Sequence, residues 1–161
     1  MTDTPKKTGS RERVRAFLEA HGLEEGLTEF EQSTKTAAQA AEAMGCELGQ
    51  IVKSLVVVVD DVPVLALVAG DRRGDLDAIA AECSGIKARM ADADTVRSAT
   101  GYAIGGVSPF DLPPELSILV DDSLMRYDTV FPAAGTPASM VRMPRARLVE
   151  IAGGRMARIS H

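Results

Sequence analysis

The run Ile51-Val52-Lys53-Ser54-Leu55-Val56-Val57-Val58-Val59, with its sequel Val62-Pro63-Val64-Leu65-Ala66-Leu67-Val68-Ala69-Gly70-Asp71, constrains this chain more than any other stretch. β-Branched and apolar residues occupy both parities of the first run, which predicts a strand covered on both faces and therefore central in its sheet. Asp60 and Asp61 separate the two runs and read as the turn of a hairpin. Lys53 stands at the mouth of that hairpin. A lysine there either turns its ammonium outward along a snorkelling stem or carries a desolvation cost that needs a purpose.

A length of 161 residues fits one domain that buries about two-thirds of its unfolded surface. We assign 1–9, polar and containing Pro5 and Gly9, to a disordered tail and 10–161 to a single domain. No run of about 18 apolar residues and no signal-peptide core is present, which predicts a soluble, cytoplasmic protein with no membrane partner. Cys46 and Cys83 fit no metal or redox spacing and are expected as free, buried or half-buried thiols.

The net charge of -5 argues against a protein that coats long stretches of nucleic acid, while leaving room for a local contact. The cations are uneven. Lys6, Lys7, Arg11, Arg13 and Arg15 cluster near the start, and Arg142, Arg145, Arg147, Arg155 and Arg158 near the end. If the termini meet, one face is basic; the other reading is a solvated, mixed surface.

Along the chain, Ser10 offers an N-cap for a short helix bearing Val14, Phe17 and Leu18 and ending at His21-Gly22. Residues 27–32 alternate as a strand does, and Ser33 to Thr36 supplies turn and cap chemistry for a helix from Ala37 to Met44 that Gly45 closes. After the hairpin, Asp75 caps a helix carrying Leu76, Ile79 and Ala80; Ile86–Met90 reads as a strand and Asp92–Ala99 as a helix. Three more strands are expected at 116–120, 129–131 and 139–141, and Pro144 opens a last helix ending at Gly153-Gly154.

The chemistry on offer is narrow. His21 sits at a helix end and His161 is the last residue, so a Ser-His-Asp triad and a zinc site are not expected, nor is a cofactor. The stretch Gly101 to Pro109 holds three glycines in six residues, leaving backbone N–H groups able to approach a phosphate or an oxyanion; a tight crossover is the plainer reading. It matches neither the Walker pattern nor the dinucleotide fingerprint. Ser54 is expected as a satisfied hydroxyl. Asp71, Arg72 and Arg73 form either a local surface ion pair or the lining of a site.

Taken together, Ile51-Val52-Lys53-Ser54-Leu55, Ala69-Gly70-Asp71-Arg72-Arg73, Thr100-Gly101-Tyr102 and Gly105-Gly106-Val107-Ser108-Pro109 resemble the YbaK family, which is similar to the editing insertion domain of bacterial prolyl-tRNA synthetases. The resemblance runs from about Thr28 to the last helix. It implies an α/β (α+β mixed) fold with a mixed, partly barrel-like β-sheet surrounded by helices. It further implies a free-standing hydrolase that removes a small wrong amino acid from mischarged tRNA, with tRNA-Pro a candidate carrier. The partner is then the tRNA acceptor end, with an aminoacyl-tRNA synthetase as a further one; a non-catalytic tRNA- or synthetase-binding module is the alternative. Lys53 matches the family's essential lysine, and Gly105 and Pro109, with Gly106 between them, match its glycine-proline loop. Thr36 falls where family members line the amino-acid pocket. Ala133, Ala134 and Gly135 stand where members that remove cysteine carry Ser-Gly-Gly, and Asp111 replaces a glycine common after Pro109.

That reading is physically consistent. Attack on an ester develops negative charge on the carbonyl oxygen, which Gly105 and Gly106 N–H groups stabilise if they point into the pocket. A ribose hydroxyl or the substrate's side chain can activate the nucleophile, leaving Lys53 to hold phosphate or carbonyl, which accounts for the scarcity of histidine. Pocket size then acts as a second sieve, and an unpaired CCA end needs few phosphate contacts.

Overall fold

The computed structural model describes residues 9–34 and 36–161. The proposed tail therefore lies outside the described residues except for Gly9, as do Lys6, Lys7 and Lys35.

The expected hairpin is the centre of the molecule. β2 (Ile51–Val59) and β3 (Val62–Ala69) pair antiparallel from Val52 with Ala69 to Val59 with Val62. Asp60 and Asp61 take positive φ of 46° and 71°, the paired left-handed geometry of a two-residue turn whose twist matches the strands. Asp60 does more than turn the chain, because its carboxylate accepts from the N–H groups of Ile86 and Lys87 at 2.9 and 2.8 Å and so ties the hairpin to the next strand.

Around the hairpin run β1 (Leu27–Glu29), β4 (Ala88–Met90), β5 (Ser117–Asp121), β6 (Thr129–Pro132), β7 (Ser139–Val141), β8 (Met143–Pro144) and β9 (Arg155–Ala157). The main sheet has the order β8-β6-β2-β3-β5-β9, with β4 also on β2; β1 and β7 form a separate pair. β2 runs antiparallel to β3 and β4 but parallel to β6, and β5 lies parallel to β3 and β9, so the sheet is mixed as expected. An isolated bridge between Ala133 and Met140 joins the end of β6 to β7 and curls that edge.

Among the described residues five α-helices pack on the sheet: α1 (Ser10–Ala20), α2 (Ala37–Met44), α3 (Leu76–Glu82), α4 (Ala93–Thr100) and α5 (Arg145–Ala152). Thr36, Asp75 and Asp92 cap α2, α3 and α4 by accepting from Gln39, Ala78 and Thr95 N–H. Ser10 does not cap α1. It is the first helical residue, and Gly9 before it supplies no side-chain bond.

The strand period of two explains how one hairpin can be buried on both sides. Val52, Val56, Leu65, Leu67 and Ala69 face a cluster with Val14 and Leu18 of α1, Tyr102, Phe110 and Leu148. Val57, Val59, Val64, Ala66 and Val68 face Ile79 and Ala80 of α3, Leu119 and Ile159. Each fully buried Val or Leu here contributes about 1.5–3 kcal/mol relative to exposure. β8, β9 and the helical turns Glu24–Gly26, Leu48–Gln50 and Asp122–Arg126 lie where the sequence pattern predicts no such element. Cys46 and Cys83 are free and half-buried. No helix among the described residues is long and apolar enough to cross a membrane.

The termini do approach, since Arg147 of α5 donates to the carbonyl of His21 at the end of α1. Among the described residues most of the terminal cations are paired rather than gathered on one basic face. Arg11 and Arg15 share Glu29, Arg13 pairs with Asp111, Arg155 with Glu82 and Arg158 with Asp122, so the mixed surface is the one observed.

Candidate active site

β2 holds β6 along Ile51–Val52 and β4 along Val57–Val59. Between them, on the same edge, Lys53 to Val56 meets no strand, and a cavity of about 630 Å³ opens there. Its wall takes Thr36, Ala37 and Ala40 from α2, Ile51 to Val56 from β2, and Met90 and Ala91 after β4. Ile104, Gly105 and Val107 come from the glycine loop, and Ala133, Thr136, Pro137, Ser139 and Met140 from the turn between β6 and β7. A mostly apolar pocket with a few convergent polar groups is the usual form of a small-molecule site.

Four of the residues singled out in the sequence meet in this cavity: Lys53, Thr36, Gly105 and Ala133. Lys53 is half-buried and its ammonium donates to the main-chain carbonyl of Arg72. Burial lowers its pKa below the ordinary lysine range; Asp71 opposes that shift and Arg73 adds to it. Asp71 is not paired with its sequence neighbours. Arg126 grips it through two bonds of 2.6 and 2.9 Å and holds its carboxyl below the usual range.

Gly105 is exposed at the rim with φ of 88°, a conformation L side chains rarely adopt. Gly106 is buried, and its N–H is engaged by the carbonyl of Ala103 at 3.0 Å, so it is not a free donor to a ligand. The reason is close packing, for a Cβ on Gly106 would sit 3.0 Å from the Gly135 carbonyl oxygen and the Thr136 Cα. Gly135 likewise serves packing: at φ of 94°, a Cβ would lie 2.8 Å from the Ser10 carbonyl oxygen. Pro109 lines a different cavity of about 900 Å³, at the Val59–Asp60 end of β2, that contains neither Lys53 nor Gly105. Gly106, Pro109 and Gly135 therefore surround the site without lining it.

The departure at Asp111 has a physical explanation. Its φ is 53°, which is why glycine suits the position, and the strain is offset by Arg13. The Arg13 guanidinium donates to the Asp111 carboxylate at 3.0 Å, to its carbonyl at 2.7 Å and to the Gly101 carbonyl at 3.3 Å, and lies 4.8 Å from the Tyr102 ring centroid. α1 is thereby bolted to both ends of the glycine loop. Tyr102 donates its hydroxyl to the Phe110 carbonyl inside the loop, and burial pushes its pKa up to about 12.

Ser54 was expected to be satisfied and is not. Its hydroxyl oxygen is buried at the cavity wall with no hydrogen-bond partner, a state that normally calls for an explanation. The pairing phase adds to it: Gly70 N–H donates to Ile51 O, so Ser54 and Leu67 form a non-hydrogen-bonded pair and the Ser54 main chain faces the open edge. Thr36, by contrast, is committed to its cap on α2. Among the described residues no three His, Cys, Asp or Glu side chains come together to hold a metal ion.

This geometry can be set beside known proteins. The family model for an aminoacyl-tRNA editing domain matches residues 31–151. The uncharacterised protein YwhH of Bacillus subtilis (strain 168) is 38% identical over 142 residues, 88% of this chain and 90% of that one. The multifunctional Ser/Thr-tRNA deacylase ProXp-y of Escherichia coli (strain K12) is 31% identical over 157 residues, 94% of this chain and 93% of the relative. A crystal structure of a candidate trans-editing enzyme for prolyl tRNA synthetase superposes with a TM-score of 0.86 at 37% identity, covering 99% of each chain.

Proposed function

The chain belongs to the aminoacyl-tRNA editing domain family, and on that footing we propose that 10–161 forms one trans-editing deacylase domain that hydrolyses the ester of a mischarged tRNA in the cytoplasm. The observation that carries this reading is the meeting of Lys53, Thr36, Gly105 and Ala133 in one cavity at an open strand edge.

The substrate is an ester of a small amino acid on the terminal ribose of the acceptor end. Water oxygen bonds to the acyl carbon, the ester C–O bond breaks, and its electron pair leaves on the ribose oxygen, which takes a proton. Free amino acid and tRNA result. Gly105, exposed at the rim, offers its N–H to the developing oxyanion. Lys53, already partly desolvated, holds the terminal phosphate or the ester carbonyl through a charge-assisted bond. A vicinal ribose hydroxyl activates the water. Thr36, Ala37, Ala40, Ala133 and Met140 bound the acyl side, and their size excludes large amino acids. Ala133 in place of a serine there argues against cysteine as the preferred acyl group.

Hydrolysis of a panel of mischarged tRNAs, tRNA-Pro charged with alanine, serine, threonine or cysteine among them, tests the reading. Acceleration of at least one ester supports it. Binding of acylated tRNA with no faster ester loss across the panel would replace it with a non-catalytic binding module.

A further inference from the structure

Beside the cavity, the ammonium of Lys53 lies against the loop that carries Arg72 and Arg73. Lys53 donates its ammonium to the Arg72 carbonyl, and Arg73 is close enough for its charge to depress the Lys53 ammonium. Arg72 and Arg73 are both exposed, and among the described residues neither they nor Lys53 form an ion pair. The adjacent carboxylate, Asp71, offsets part of this charge at Lys53 and Arg72, but both of its oxygens are bonded to Arg126.

The position of these cations at the Lys53 end of the cavity gives the arrangement meaning. Of the terminal arginines, Arg11, Arg13, Arg15, Arg155 and Arg158 are matched to an acidic partner and Arg145 and Arg147 to a carbonyl, while Arg142 is exposed without an ion pair among the described residues. A protein of net charge -5 has carboxylates to spare, yet the loop after β3 carries two consecutive exposed arginines, its carbonyl at Arg72 bonded to the half-buried Lys53. Like charges held side by side are unfavourable unless an anion joins them. The loop backbone is not free to relax the cluster, because Arg73 exchanges two main-chain bonds with His161, at 2.9 and 2.8 Å.

We propose that Arg72 and Arg73 form a docking surface for the sugar-phosphate backbone of the single-stranded 3′ end of the tRNA, leading away from the Lys53 end of the cavity. The proposal rests on the deacylase reading for the identity of the nucleic acid. Arg72 and Arg73 are positioning residues: they set where the strand enters, while the chemistry stays in the cavity. Guanidiniums suit the task because they bond phosphate oxygens in pairs and remain charged at every working pH.

The test measures binding of an uncharged RNA minihelix ending in single-stranded CCA, over a series of salt concentrations, by wild type and by the double variant Arg72→Gln/Arg73→Gln. The expected result is a roughly tenfold weaker Kd at low salt and a plot of log K against log salt that is shallower by about 1.4, two phosphate contacts at about 0.7 each. Arg72→Lys/Arg73→Lys should restore most of the slope. On a tRNA that wild type deacylates, KM should rise with kcat little changed, while hydrolysis of a phosphate-free aminoacyl-adenosine stays at the wild-type rate. An unchanged Kd and slope, or an equal loss on the phosphate-free ester, would overturn the proposal. Failure of wild type to hydrolyse any mischarged tRNA would remove the deacylase reading instead, and the minihelix measurement would still decide the role of the arginines.

Discussion

The ammonium of Lys53 is bonded to the main-chain carbonyl of Arg72, nineteen residues on, in the loop that follows its own partner strand. The hairpin that forms the core thus also holds the cation at the cavity, and burial of one supports the function of the other. A surface lysine would carry no such constraint.

Lys53→Met separates these roles. The lysine's folded pKa lies below its unfolded value of about 10.4, so the unfolded chain binds more protons between the two, and stability rises with pH through that window. At neutral pH the desolvation cost is fully present. The variant should unfold within about 1 kcal/mol of wild type at pH 7. It should also lack the wild-type gain in stability towards pH 10, and lose at least about 100-fold in deacylation. Chemical denaturation across pH, beside kinetics, checks this; a large loss of stability would make Lys53 structural.

Asp121 should govern acid stability. It is fully buried at the end of β5, where burial alone would raise its pKa, but bonds from Ser123, Ser160 and the Ile159 N–H outweigh this and the net shift is downward. Its contribution is complete above the ordinary carboxylate pKa of about 4 and is lost as pH falls through the lower folded value. Asp121→Asn should cost about 2–3 kcal/mol at pH 7 and flatten the loss of stability below pH 4. Equal acid sensitivity of the two proteins would contradict it.

Arg13 and Asp111 make a paired prediction. Asp111→Gly relieves the left-handed backbone and keeps the bond to its carbonyl, so stability should change by less than about 1 kcal/mol. Asp111→Ala keeps the strain without the ion pair and should cost about 1–2 kcal/mol. Arg13→Lys should not substitute for arginine, because a single ammonium cannot serve Asp111 and Gly101 at once. Thermal unfolding of the three variants decides.

The glycines divide by role. Gly105→Ala meets nothing closer than Pro137 Cγ at 3.7 Å, so its cost is the φ of 88° alone, about 1–2 kcal/mol, accompanied by a loss of rate as the rim shifts. Gly135→Ala adds a 2.8 Å clash with the α1 backbone and should destabilise more strongly than Gly105→Ala. The reverse order in thermal unfolding would contradict the assignment of Gly135 to packing.

Much of this was legible in the chain. Continuous apolar parity from Val56 to Val59 announced a central strand, and Asp60-Asp61 its turn, because burial on two faces and positive φ each leave a local trace. Thr36, Asp75 and Asp92 announced helix starts for the same local reason. β8 and β9, of two and three residues, carry no such trace, since partners distant in sequence decide their pairing. The site divides in the same way. Lys53 and Gly105 could be read from spacing, whereas the Arg126 grip on Asp71 and the Arg13 clamp join residues 55 and 98 positions apart, and the unpartnered Ser54 hydroxyl depends on what the fold leaves around it. A glycine's spacing could not tell Gly105, which lines the cavity, from Gly106, which fills a contact.

The central claim is that Lys53 in this cavity hydrolyses a mischarged aminoacyl-tRNA. Deacylation of the mischarged-tRNA panel by wild type and by Lys53→Ala, with circular dichroism confirming that the variant is folded, tests it most directly. The account predicts acceleration of at least one small aminoacyl ester by wild type and a loss of about 100-fold or more in the variant. Unchanged hydrolysis by Lys53→Ala would contradict it.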